Sequence, residues 1–281
     1  MMKEEVLEKI ILETVDIPSL PPIAMKVLQL INDDYSSIKE LEKLIGRDQS
    51  FSARLLRIAN SPYYGRDRSI DTISTGILLI GFNTMKSLVV AASLKDLHRK
   101  FGLFEQRLWE HSLGVSIAAS LLAIETKLMT PEEAMIGGLI HDVGKTILNN
   151  SMPESYSVIV ERVYEAGQPF LDVENEMLGF NHCHVGGLIS RKWKLPKNLE
   201  SVTEFHHATD FSGMEDPSHV NLCKVVNVAD AMCAVLGIGL RAPLEGYVVN
   251  YASIGLSSGR FAELEETFKK TYAEQKAHLL E

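Results

Sequence analysis

Cysteine is scarce, with only Cys183, Cys223 and Cys233 in 281 residues. None lies in a CxxC pair, and an odd, sparse set excludes a disulfide framework. It points instead to a reducing compartment, the cytoplasm. Aromatic residues are also few, at 7% against 46% hydrophobic residues overall. That balance disfavours a β-sandwich and suits helices. Positive charge is in deficit, with 28 Lys and Arg against 37 Asp and Glu and a net charge of −9. Residues 1–100 carry 14 basic and 13 acidic side chains, and residues 101–281 carry 14 and 24. Such a surface lacks the basic footprint of a nucleic-acid binder. No apolar run is long and clean enough to span a membrane: VNLCKVVNVADAMCAVLGIGL, residues 220–240, is interrupted by Lys224, Asn227 and Asp230. The N-terminal MMKEEVLEKIILETVDIP is amphipathic and acidic, which is not the pattern of a signal peptide. Ser/Gly linkers, repeats and low-complexity segments are absent.

What remains is an almost unbroken series of helical patterns. Val27, Leu30 and Ile31 share one face after the PSLPP entry, and Leu41, Leu44 and Ile45 share another before Gly46. Further helices are expected over 105–125, 131–148, 154–167, 172–193, 197–207, 219–238 and 260–279. The fold class is all-α. The shift in charge near Gly102 suggests an N-terminal helical part, residues 1–102, and a second helical part, residues 103–281.

Several ionisable residues sit where such helices should be apolar. In MTPEEAMIGGLIHDVGKTIL, Thr130 is a natural N-cap, Pro131 fits the first turn and Glu133 completes a capping box. His141 and Lys145 then share a face. Asp142 lies about 100° around from His141, and the two can both reach a metal in a groove. His111 lies on a stripe with Val115, Ala118 and Leu122, where it is either a satisfied core histidine or a ligand. Asp230 stands inside the most apolar helix and needs a partner, either an arginine or a metal. His182 and His184 are two apart, so one at most faces a given site. His206 and His207 form a pair near a helix end. His98 reads as exposed, and His184 and His219 lean structural.

The order His111, His141-Asp142, Asp230 resembles the HD superfamily of metal-dependent phosphohydrolases. The stretches IPSLPPIAMKVLQLIND, GRDQSFSARLLRIANSPYYG, TISTGILLIGFNTMKSLVV and GFNHCHVGGLISRKWKLP resemble the HDOD family, the HD-related output domain of bacterial signalling. The added histidines are similar to those of HD-GYP phosphodiesterases. Together these resemblances imply a metal-ligand set of His111, His141, Asp142, His182, His206, His207 and Asp230, with Asp142 bridging two divalent ions. They also imply that Lys145, as in HDxGK, contacts a substrate phosphate. No Gly-Tyr-Pro follows His207, and Arg107 stands where a third metal would need a carboxylate, so neither a third ion nor cyclic di-GMP is implied.

Imidazole and carboxylate donors suit iron first, then manganese or zinc, over magnesium. The implied activity is hydrolysis of a phosphomonoester or phosphodiester, on a nucleotide or related phosphate-bearing small molecule. The alternative is a non-catalytic output module that binds a partner or nucleotide, its metals structural or sensory. A weaker one pairs each His and Asp separately, without metal. Arg47, Arg54, Arg57, Arg66 and Arg68 in the N-terminal part are either a solvated face or a surface for an anion or signalling protein. Tyr63 and Tyr64 are either turn packing or partner contacts.

Overall fold

The structure is a computed structural model. It describes residues 4–16, 22–31, 38–46, 70–82, 102–239 and 247–280, with residues 52–53, 55–56, 59–60, 85 and 89 besides. Among the described residues there are helices and no strand. The leading helices are α1 (Glu4–Thr14), α2 (Pro22–Ile31), α3 (Ile38–Ile45) and α4 (Ile73–Ile80). Next come α5 (Leu103–Thr126), α6 (Pro131–Ile140), α7 (Val143–Ser151) and α8 (Pro153–Ala166). The chain continues through α9 (Phe170–Leu178), α10 (His182–Lys192), α11 (Lys197–Phe205) and α12 (Pro217–Val235). A 3₁₀ turn, Tyr251–Ile254, precedes α13 (Ser258–Leu280).

Helix α5 is the axis of the molecule. Residues 111–120 are buried without interruption. A helix enclosed on every side needs no polar face, and α5 has small and apolar residues all round. Helices α6, α12 and α13 pack directly on it. The approach of α6 is close: a Cβ at Gly138 would sit 2.8 Å from both the Ser116 Cα and the Val115 carbonyl. Helix α12 buries Leu222, Val225, Val226, Val228, Ala229 and Met232, each at no more than 2% exposure. Each such Val, Leu or Met contributes about 1.5–3 kcal/mol by leaving water. Lys224, Asn227 and Asp230 recur every three residues on the side of α12 left over.

Two expected helices are broken. The stretch 131–148 divides at His141-Asp142, with Asp142 at φ −95°, ψ 16°. The stretch 172–193 divides at Gly179, which takes φ 78°, and Asn181 caps the helix that follows. Both breaks serve the close packing of α7 on α10. A Cβ at Gly144 would meet the His182 carbonyl, with Gly186 N at 3.0 Å. The capping box expected at Thr130 and Glu133 is present, with Glu133 N–H donating to Thr130 Oγ1 at 3.3 Å. Near the N-terminus, Ser151 Oγ donates to the Asp16 carbonyl at 3.0 Å and ties the segment after α1 to α7.

Candidate metal centre

Seven residues from five places in the chain converge on one point. His111 comes from the middle of α5, His141 and Asp142 from the α6–α7 junction, and His182 from the first turn of α10. His206 and His207 follow α11, and Asp230 comes from α12. Asp142 is 2% exposed and lies at the middle. Its Oδ2 is 3.3 Å from His141 Nε2 and 3.8 Å from His111 Nε2. Its Oδ1 is 3.4 Å from His182 Nε2 and 3.6 Å from His206 Nε2. Asp230 spans the open side, with Oδ1 3.0 Å from His111 Nε2 and Oδ2 3.7 Å from His207 Nδ1. The partner of Asp230 is therefore histidine and not arginine.

The histidines are turned by their outer nitrogens. Nδ1 of His111 donates to the Ile238 carbonyl at 3.1 Å, that of His141 to the Gly138 carbonyl at 2.6 Å, and that of His206 to the Val202 carbonyl at 3.0 Å. His182 Nδ1 donates to Glu174 Oε2 at 2.6 Å, and its backbone N–H donates to the same oxygen at 2.8 Å. With Nδ1 donating outward, each imidazole turns Nε2 to the centre and, once neutral, would offer a lone pair there, which is the orientation a metal ligand requires. Glu174 is absent from the expected set. It is fully buried on α9 and also accepts from Tyr156 Oη at 2.7 Å. Its signal in the sequence is a single carboxylate on the Phe170–Val173 stripe, at the i+4 position.

A divalent cation fits these donors. His141 Nε2, His182 Nε2 and Asp142 Oδ1 are buried, face one another and have no hydrogen-bond partner. Buried polar atoms normally find one, and three such atoms gathered at Asp142 fit a divalent cation. Three donor sets close to within 4.8 Å: His111 with His141 and Asp230; His141 with Asp142 and His206; and His182 with Cys183, His206 and His207. Asp142 and His207 are already in the states a ligand needs, whereas burial opposes the charge of His182 but Cys183 and Glu174 raise its pKa to about 9, so it releases a proton on binding a metal. Burial opposes ionisation of Asp142, but His141 and Lys145 hold its carboxyl well below the usual carboxylate range. Burial, then neighbouring His206, pushes His207 well below an ordinary histidine, which leaves it neutral.

A cavity of about 580 Å³ opens over the His111, His207 and Asp230 side. Lys145, Phe170 and Lys224 also line it. Lys145 Nζ lies 2.7 Å from Asp142 Oδ2 and 4.7 Å from the centre of the Phe170 ring. Burial works against its charge, but Asp142 and Asp230 raise its pKa and keep it cationic.

A family model, the HDOD domain, matches residues 17–209. The chain belongs to the HDOD family. An HDOD domain protein of unknown function from Geobacter sulfurreducens is 26% identical and superimposes with a TM-score of 0.84 over 97% of each chain. A proposed phosphohydrolase from Shewanella amazonensis SB2B shares the fold at 24% identity, with a TM-score of 0.74 over 96% of this chain and 98% of that one. An uncharacterized protein of Treponema pallidum (strain Nichols) is 22% identical over 197 residues, 68% of this chain and 38% of its own length. The chain spans under two fifths of the length of the curated relatives it matches.

Other singled-out residues of this HDOD chain stand apart from the centre. His184 completes the cap of α10, its Nδ1 accepting from the Asn181 N–H at 3.2 Å. His219 lies 3.6 Å from Asp216 at the start of α12. Arg107 stacks over Tyr164, 5.3 Å from the ring centre. Arg47, Arg54, Arg57, Arg66, Arg68, Tyr63, Tyr64 and His98 lie outside the described residues. Among the described residues no helix is long and apolar enough to cross a membrane.

Proposed function

We propose that this HDOD chain is a metal-dependent phosphohydrolase that acts on a nucleotide or a related phosphate, with two divalent ions held on either side of Asp142. The observation that carries this reading is the division of one buried carboxylate. Asp142 Oδ2 serves His111 and His141, while Oδ1 serves His182 and His206. A carboxylate shared in this way offers one oxygen to each of two imidazole pairs. Divalent ions, when bound there, supply Lewis acidity toward a phosphoryl oxygen and acidify a water.

The residues around them supply the rest. Lys145 is cationic at the cavity wall and faces developing phosphate charge as it faces Asp142. Phe170 holds the Lys145 side chain from one side. Lys224 and Asn227 extend the same wall along α12, in a space of the size that takes a nucleotide.

The test is turnover of bis(p-nitrophenyl) phosphate and a nucleotide panel by protein loaded anaerobically with ferrous iron, manganese or zinc. At least one ion should support hydrolysis. Lys145→Ala should cut kcat by about 10²–10³-fold, the usual cost of losing one group that stabilises developing charge. A fully loaded protein that hydrolyses none of these substrates would contradict catalysis and favour a non-catalytic output role.

A further inference from the structure

The donor set on the Oδ1 side of Asp142 contains a residue that the phosphohydrolase reading does not use. Cys183 follows His182 in the first turn of α10 and is 7% exposed. Its Sγ lies 3.9 Å from His206 Nε2. Its sulfur and the ligating atoms of His182, His206 and His207 all fall within 4.8 Å of one another. Zinc–sulfur and zinc–nitrogen bonds at a tetrahedral angle put the two donor atoms about 3.6 Å apart. The sulfur is thus near the position it would hold if it shared an ion with His206.

Two further observations point the same way. His182 Nε2 is fully buried, lacks any hydrogen-bond partner and belongs to this same set. The backbone N–H of Cys183 donates to Asn181 Oδ1 at 3.0 Å, which fixes the residue in the first turn of α10 beside His182. Cys223 and Cys233 are also buried, but neither belongs to a donor set among the described residues.

We propose that Cys183 is a ligand of the ion on the Oδ1 side, so that this half of the centre selects a thiophilic ion, zinc or ferrous iron, over manganese and magnesium. The inference rests on the metal-centre reading above and gives its two halves different chemistry. The His111, His141 and Asp230 half offers only nitrogen and oxygen donors, whereas the other offers nitrogen, oxygen and sulfur. On binding, the Cys183 S–H bond breaks, a sulfur–metal bond forms and the proton leaves to solvent. No electron is transferred.

The test is a cobalt(II) titration of the metal-free 281-residue chain, followed by absorption spectroscopy. The wild type should show the visible ligand-field bands of bound cobalt and an intense thiolate-to-cobalt charge-transfer band in the near ultraviolet. This reading needs no variant. Cys183→Ala should keep ligand-field bands from the other half and lose the charge-transfer band, while Cys223→Ala and Cys233→Ala keep both. Zinc affinity at the affected half should fall by more than the roughly 10–100-fold that losing an orienting partner costs. Ligand-field bands without a charge-transfer band in the wild type, or a band that survives in Cys183→Ala, would overturn the assignment of Cys183 and leave the centre standing. No cobalt bound at all would overturn the centre itself.

Discussion

In the proposed two-ion centre Asp142 is the residue on which both halves depend, because each of its oxygens faces a different pair of imidazoles. Asp142→Ala should therefore remove both ions, whereas His111→Ala should weaken only one. Elemental analysis of the two variants separates these outcomes. Glu174 acts one step further out by turning His182. Glu174→Gln keeps the shape but weakens the charged acceptor, and the ion beside His182 should bind about 10–100-fold more weakly. Competition with a chelator measures this, and unchanged affinity would remove Glu174 from the account. His111, His141 and Asp230 were legible in the sequence as ionisable residues at positions that helical period makes apolar, whereas His182, His206 and His207 were marked only by the resemblance to HD-GYP proteins. Glu174 was not legible, since it stands in LDVENEM among acidic neighbours that read as a solvated face. Only its phase relative to Phe170 and Val173 marks it as buried.

At the level of helices, the centre is made by breaks. Ending α6 at Ile140 and restarting at Val143 turns two successive side chains inward, which an unbroken helix spaces by about 100°. The order of the C-terminal helices was readable from period and capping, but not their number, since two expected helices are each divided in two. The break after Gly179 was signalled by a glycine and an Asn cap. The break at His141-Asp142 has no such punctuation and is imposed by packing on α10. Gly144 is the point of that packing, with backbone and not side chain as its neighbour. Gly144→Ala should destabilise the chain by about 1–3 kcal/mol or more, the range for overpacking a rigid contact. It should also lower metal content, because His182 moves with α10. Gly138→Ala presses on the α5 backbone instead and should cost similar stability. Urea denaturation reads both, and a neutral result at either position would contradict the close helix approach.

For the whole molecule, folding gathers Asp142, Glu174 and Asp230 within one core, and all three carboxyls are held below their ordinary values despite burial. Carboxylates of this kind contribute stability above their unfolded pKa, about 4, and lose it as pH falls through the lower native value. Metal-free protein should therefore weaken steadily on acidification from about pH 5 downward. The fall should be smaller in Glu174→Gln, which has one such group fewer, and equal slopes would contradict the assignment. Bound ions add to this: at a free concentration 100 times Kd, an ion stabilises by about 2.7 kcal/mol. Chelator should accordingly lower Tm in the wild type and leave Asp142→Ala unchanged. The most direct test of the central claim is an anomalous difference map from crystals of metal-loaded protein. Two peaks are predicted, one between Asp142 Oδ2 and the His111, His141 and Asp230 donors, the other between Oδ1 and His182, His206 and His207. A single peak, or none beside Asp142, would contradict a two-ion centre.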